Sequence, residues 1–336
     1  MADIEVGMHF YPHHAVDAPP ADLANAAVAH ARLVDALGFD QLWTGHHYLT
    51  DDQTLQPIPL LGRLAGETRH VRIGAWLILS LGNPVDLAEQ LSTLDALSDG
   101  RLICGAVMGY RDVEFDSLGI PKRDRATRLE EIVEVLKRLW TQDSVVFEGS
   151  HVRLRGVSIH PKPVQKPRPR IWVGANSAPA VRRAARIGDA WAMSPYATIA
   201  TVREHREVYD HELRALGRDP ATVRRPLVRD VYIAPDDASA FAEAERFMAP
   251  FYQTYVRWGK EEAMGRGGEL SQPFRELARD RFIIGSPSRF VEEIHRYHET
   301  VGADVFILQI NRPGMPDELV LERTRLLGEA VLPRIR

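Results

Sequence analysis

The sequence predicts an α/β fold, a closed (β/α)8 TIM barrel with a helical insertion before the last strand. Two observations lead there. Short apolar runs at 4–10, 41–45, 71–79, 102–107, 170–174, 190–193, 227–234 and 305–310 are each followed by a stretch with helical spacing. That alternation belongs to βαβ units around a parallel sheet, and eight such units fit a closed barrel better than an open sheet. The second observation is amphipathic spacing between the runs. Leu129, Ile132, Leu136 and Leu139 recur at three and four residues, leaving Glu130, Glu131, Glu134, Lys137 and Arg138 to face water, so an outer helix is expected there.

Each unit carries its own punctuation. Asn83-Pro84 and Ser286-Pro287 mark helix starts before 88–97 and 290–297, because proline suits the first helical turn and a side-chain oxygen caps it. The chain reads as one domain over 1–336, with two connections too long for simple turns. Segment 147–170, rich in proline and base (HPKPVQKPRPR), reads as an extended, proline-stiffened approach to the fifth strand. Segment 235–284 contains Phe251, Tyr252, Tyr255, Trp258 and a GRGGE stretch. It reads as a helical insertion or lid, whose aromatics suit an apolar or aromatic substrate.

Composition removes several classes of function. Lys plus Arg is 42 against 46 for Asp plus Glu, a formal charge of -4, which argues against nucleic acid as a partner. The single cysteine, Cys104, cannot form an internal disulfide or a thiolate metal cage. The start MADIEVGMHF carries acids where a signal peptide needs a basic patch, and no apolar run reaches the ~18 residues of a membrane span. A cytoplasmic protein without a membrane partner is expected.

In a barrel, chemistry sits at the carboxyl ends of the strands. His9, His13 and His14 follow the first run, His46 and His47 the second, and His160 lies in the long loop. Their spacing does not match barrel metal sites, so no metal is expected. Neighbouring strand residues point to opposite faces, so only one of His46 and His47 is expected to face the barrel mouth unless the strand has already ended. The chain lacks a Walker loop, a G-x-G-x-x-G turn and a G-x-S-x-G elbow, each of which has a role that other sequences do not improvise. The segment VGANS at 173–177 runs from strand through glycine turn into a helix. Its free N–H groups and the Ser177 hydroxyl either bind phosphate or simply cap that helix.

GFDQLWTGHHY at 38–48 is followed at 71–115 by VRIGAWLILSLGNPVDLAEQLSTLDALSDGRLICGAVMGYRDVEF. QKPRPRIWVGANSAPAVRRAARIGDAW follows at 165–191, with GSPSRFVEEI and GADVFILQ near the end. In this order and spacing the chain resembles the bacterial luciferase-like flavin-dependent monooxygenase family, over most of its length but not across 235–284. The resemblance implies a barrel that binds reduced FMN at the strand carboxyl ends, as a homodimer paired near 60–66 and 87–97, and oxidises an organic substrate with oxygen. A separate flavin reductase is implied, since the chain has no nicotinamide fingerprint of its own.

The same resemblance implies His46 as the proton-transfer residue, with Tyr110 as the second catalytic candidate. It implies cofactor contacts at Ala75 through its backbone, at Met108 and Tyr110, at Gly174, Ala175, Asn176 and Ser177, and at Ser194, with Arg111 or Arg125 supplying a cation to the phosphate. Two positions depart from the family pattern. Gly45 stands where an acid usually precedes the histidine pair, and Met108 replaces an arginine that bacterial luciferase uses for phosphate. These departures keep a deazaflavin-dependent oxidoreductase, which transfers hydride without oxygen, as the alternative. A non-catalytic flavin-binding barrel is a third reading, because fold does not fix function.

Overall fold

The computed structural model describes residues 4–11, 13–45, 47–264 and 269–336. Its strands are β1 (Glu5–His9), β2 (Gln41–Thr44), β3 (Arg72–Ile78), β4 (Leu102–Val107), β5 (Val145–Glu148), β6 (Arg153–Val157), β7 (Arg170–Ala175), β8 (Ala190–Met193), β9 (Pro226–Ile233), β10 (Ile283–Gly285) and β11 (Val305–Gln309). Parallel pairing runs β11-β1-β2-β3-β4-β7-β8, and β9 joins β11 to β8 and closes the ring. The eight apolar runs of the sequence are therefore the eight barrel strands. Closure between β8 and β9 rests on one register pair, Met193 with Leu227.

Helices α1 (Pro20–Ala36), α2 (Pro57–Glu67), α3 (Pro84–Leu97), α4 (Asp112–Ser117), α5 (Arg125–Thr141), α6 (Ala178–Ile187) and α7 (Ile199–Ala215) follow the first six barrel strands. α8 (Asp237–Arg257), α9 (Lys260–Met264) and α10 (Phe274–Ala278) come next, then α11 (Pro287–Val301), α12 (Asp317–Ala330) and α13 (Leu332–Ile335). The apolar stripe read in α5 is buried at Leu129, Ile132, Leu136 and Leu139. Asn83 caps α3 by accepting from the Val85 and Asp86 amides at 2.9 and 3.3 Å, which satisfies two N–H groups that the helix leaves unpaired.

Two elements differ from the sequence expectation. The start of segment 147–170 is not simply extended: β5 and β6 form an antiparallel hairpin. Glu131 holds it by accepting from the Ser150, His151 and Val152 amides at 2.7–3.0 Å, a long-range contact that proline content does not reveal. The insertion before the last barrel strand contains α8 to α10 and also β10, which pairs outside the ring with Val231–Ile233 of β9. No helix among the described residues is long and apolar enough to cross a membrane.

Strand periodicity divides the core into two shells. Ile73, Ala75 and Leu77 of β3 face the helix layer, while Trp76 packs with Trp43, Ile103, Trp172, Val228 and Ile307 inside the barrel. Trp43 stacks on Trp76 with centroids 4.4 Å apart and on Trp172 at 5.3 Å. Its indole N–H donates to Gln41 at 2.8 Å, so the buried polar atom is satisfied. Glycines make room for these rings. A Cβ on Gly74 would lie 2.7 Å from Trp43, and one on Gly105 would lie 2.5 Å from the Ala75 carbonyl and 2.6 Å from Trp76. Because a strand carbonyl cannot step aside, Gly105→Ala should lower unfolding stability by about 1–3 kcal/mol. Urea denaturation measures this, and an unchanged midpoint would refute the crowding.

Candidate functional site

The tryptophan layer floors a cavity at the carboxyl ends of the barrel strands, lined by His9, Trp76, Ile78, Val107, Gly174, Ala192, Val228 and Gln309 from the strands themselves. The loops beyond them add Gly45, His47, Met108, Gly109, Tyr110, Asn176, Ser194 and Tyr196. α5 and α6 contribute Arg125 and Arg183, and the insertion contributes Tyr255 and Lys260.

β2 ends at Thr44, so the alternation rule lapses before the histidine pair. His46 lies outside the described residues. His47, expected from strand alternation to point away if His46 faces in, lines the cavity instead. Its Nδ1 stands 2.9 Å from Oε1 of Glu114, a fully buried carboxylate from α4 that also accepts from the Tyr48 amide at 3.0 Å. With glycine at 45, whose added Cβ would come within 3.3 Å of the Tyr11 ring, the carboxylate beside this histidine comes from another element of the chain. Burial lowers the His47 pKa below its usual value although the Glu114 contact works the other way. Burial alone would raise Glu114, but hydrogen bonds from His47 and Tyr48, together with Arg111, hold it below the usual carboxyl range. An ionised carboxylate accepts only, so Nδ1 carries the shared proton and Nε2 keeps a lone pair.

Arg111 does not reach the cavity. It donates to the Tyr48 and Leu49 carbonyls at 2.6 and 3.1 Å and stacks on Trp258 at 4.1 Å. It thereby fixes the turn at Leu49, which holds a left-handed φ of 53°. Arg125 lines the cavity as expected from sequence, beside Arg183, which sequence reasoning missed. Arg183 pairs with Glu130 at 2.7 Å and approaches the Met108 sulfur at 3.9 Å. Gly174, Ala175 and Asn176 line the cavity, whereas Ser177 stands behind them as the N-cap residue of α6 without a side-chain capping bond. Ser194 lines it too, its carbonyl accepting from buried Arg229 at 2.7 Å. The Ala75 side chain faces the helix layer, while the neighbouring Trp76 lines the cavity.

Among the described residues the buried Tyr110 hydroxyl has no hydrogen-bond partner, nor have the Trp76 indole N–H and both His9 nitrogens. Burial lowers His9 to about 3, so it is neutral at any working pH. His9 belongs to the histidine cluster seen in the sequence, and Tyr255 to the aromatic set of the insertion. Glu114 and Lys260 carried no local signal. Among the described residues no group of three or more His, Cys, Asp or Glu is placed to hold a metal ion.

The chain is similar to proteins already known. A family model described as luciferase-like monooxygenase matches residues 4–304. The oxygenase component of a flavin-dependent trigonelline monooxygenase from Acinetobacter baylyi is 26% identical, over 83% of this chain and 81% of its own length. An F420-dependent glucose-6-phosphate dehydrogenase from Microbacterium testaceum is 29% identical, over 90% of this chain and 91% of its own. The crystal structure of the monooxygenase RslO1 from Streptomyces bottropensis superposes with a TM-score of 0.84 at 25% identity, covering 99% of this chain and 100% of that one.

The His47–Glu114 contact makes a checkable statement. A neighbouring carboxylate favours imidazolium, so its removal disfavours it. The NMR titration midpoint of His47 should lie below 6.5 in the wild type and lower still in Glu114→Gln. A midpoint that rises or stays put in the variant would show that the pair is not coupled.

Proposed function

The chain belongs to the luciferase-like monooxygenase family, and from that premise we propose a flavin-dependent monooxygenase that uses reduced FMN and oxygen to oxidise a small organic substrate. The reduced flavin is supplied by a separate reductase, a reading supported by the relative that is itself an oxygenase component. One observation carries the proposal: a single cavity joins an anion-binding turn to a neutral histidine backed by a buried carboxylate. Arg125, Arg183, Asn176 and the backbone at Gly174 and Ala175 would hold the phosphate, since a helix N-terminus and guanidinium groups both favour an anion. The unpartnered Tyr110 hydroxyl, Trp76 indole and His9 ring would meet the polar edges of a flavin or substrate, which suits an aromatic heterocycle.

When bound, reduced flavin supplies the electrons that activate oxygen. His47 accepts or returns a proton at Nε2, and Glu114 holds the tautomer and stabilises the charged form. His46 keeps its proposed proton-transfer role beside it. Tyr110, kept protonated by burial, donates a hydrogen bond, while Trp76, Tyr196 and Tyr255 exclude water. An apolar or aromatic body is the proposed substrate. Pairing through α2 and α3, where Leu97 is exposed, is the proposed homodimer contact, and light scattering should return twice the 37.8 kDa chain mass. The one cysteine, buried Cys104, suits a reducing compartment, so the cytoplasm is the proposed location.

A second reading, a deazaflavin-dependent oxidoreductase, is favoured by Met108 in the arginine position and by the 29% identical F420-dependent relative. Fluorescence titration separates the two. FMN is expected to bind and to bind more tightly than riboflavin, and Arg183→Ala should cost FMN about tenfold while sparing riboflavin. Binding of F420 without FMN would replace the monooxygenase reading, and equal affinity for FMN and riboflavin would remove the phosphate site.

A further inference from the structure

The cavity wall carries Arg125, Arg183 and Lys260 but, among the described residues, no Asp or Glu. In a chain whose acids outnumber its Lys and Arg by 46 to 42, composition does not account for this. Arg183, tied to Glu130, belongs with the phosphate turn. Lys260 belongs to the opposite function of the site. It opens α9, its Nζ lies 4.3 Å from the centroid of Tyr110 and 4.5 Å from that of Tyr196, and its charge contributes to the lowering of the His47 pKa. It forms no ion pair among the described residues. Glu114 is the acid that acts on it through space, and burial draws its pKa from 10.5 to about 8.

Two aromatic faces compensate an ammonium group only in part, and a half-buried cation without an anionic partner loses part of its hydration uncompensated. A ligand that brings an anion supplies that partner. We propose that Lys260 selects the substrate: the cavity takes an organic acid, its carboxylate held by the Lys260 ammonium and its apolar body packed against Tyr110, Tyr196 and Tyr255. This rests on the flavin reading, because a cofactor phosphate would otherwise compete for the same lysine. The two anions are separated here by the residues each cation faces, Glu130 and Met108 for Arg183, and Tyr110 and Tyr196 for Lys260.

The charge logic gives a pH sign. Lys260 binds a carboxylate only when protonated, so acid binding should weaken as pH rises past about 8. Among the described residues, Glu114, held ionised, acts on Lys260 through space; His47 is kept below its usual pKa by burial, and the Tyr110 and Tyr196 rings that face the ammonium, with Tyr255 beside Tyr196, are held protonated by burial.

The test uses FMN-loaded protein and two matched probe pairs, benzoate with benzamide and hexanoate with hexanamide, followed through tryptophan fluorescence. At pH 7 at least one acid should bind about tenfold more tightly than its amide, the scale of one charge-assisted hydrogen bond. Lys260→Met should erase that preference with FMN affinity unchanged, and Lys260→Arg should keep it. Amides binding as well as acids, no acid binding at all, or a preference that survives Lys260→Met would each overturn the proposal. So would a Lys260→Met variant that loses FMN affinity but keeps riboflavin affinity, since the lysine would then serve the cofactor. Failure of the wild type to bind FMN would instead remove the flavin reading, and the acid–amide comparison on flavin-free protein would still decide the role of Lys260.

Discussion

The stack of Trp43, Trp76 and Trp172 is the constraint on which the rest of the molecule depends. Three indoles cannot share a small barrel interior unless neighbouring strands give up their side chains, and Gly74 and Gly105 do so. The indoles fill the interior below the cavity, and a ligand meets the carboxyl end, where the next inward position in the period-2 series reaches the cavity on six strands: His9, Ile78, Val107, Gly174, Ala192 and Gln309. Core packing and site location are thus one fact. The same period places Ala75 in the outer shell, where its side chain cannot serve a ligand.

Electrostatics at this end follow from which charges are neutralised by protein and which are left for a ligand. Glu114 is buried but is met by His47, the Tyr48 amide and Arg111 at 3.6 Å. Arg111 is in turn spent on backbone carbonyls and Trp258. Neither adds free charge to the cavity. Arg183 is paired only from its outer side, by half-exposed Glu130, and such a pair is weak enough for an anion to compete with it. Lys260 has no anion in contact among the described residues. The cavity therefore reads as positive in a protein of formal charge -4.

How much of this was legible in the sequence differs by level. The eight barrel strands were, because apolar runs and helical spacing are local properties that tertiary structure reinforced rather than overrode. So were 174–176, Tyr110 and Ser194, which line the cavity at or just past strand ends, and Arg125, which reaches it from the start of α5. The hairpin of β5 and β6 was hidden because its anchor, Glu131, lies on the preceding helix α5, where it reads as one more solvent-facing acid. His47 was assigned outward by a strand rule that stopped applying at Thr44. Glu114 and Lys260 were hidden for a stronger reason. Each is an ordinary surface-type residue in a helical stretch, and only the chain path through α4 or α9 brings it to the site.

The insertion reaches the cavity through one buried ionic network. Asp230, within β9, accepts from the Tyr252 hydroxyl of α8 and pairs with Arg312 at 2.6 Å. Arg312 lies 4.9 Å from the Phe251 ring centroid, so β9, the segment after β11 and the long helix share one pair of charges. Burying that pair gains little by itself, but removing one member would strand the other, at a cost of about 3–5 kcal/mol. This pair is therefore one of the ties that hold α8, and with it Tyr255, against the barrel, beside the bond from the Tyr232 hydroxyl of β9 to Glu243 at 2.7 Å. The network also acts at a distance. Burial does most to lower His9 and His13, each to about 3, and the Arg312 cation adds to it. These histidines consequently stay neutral through the physiological range, and His9, which lines the cavity, offers hydrogen bonds without charge. One buried arginine thus helps to position the insertion and reinforces burial in keeping the strand-end imidazoles from adding to the positive charge that an anionic ligand would meet.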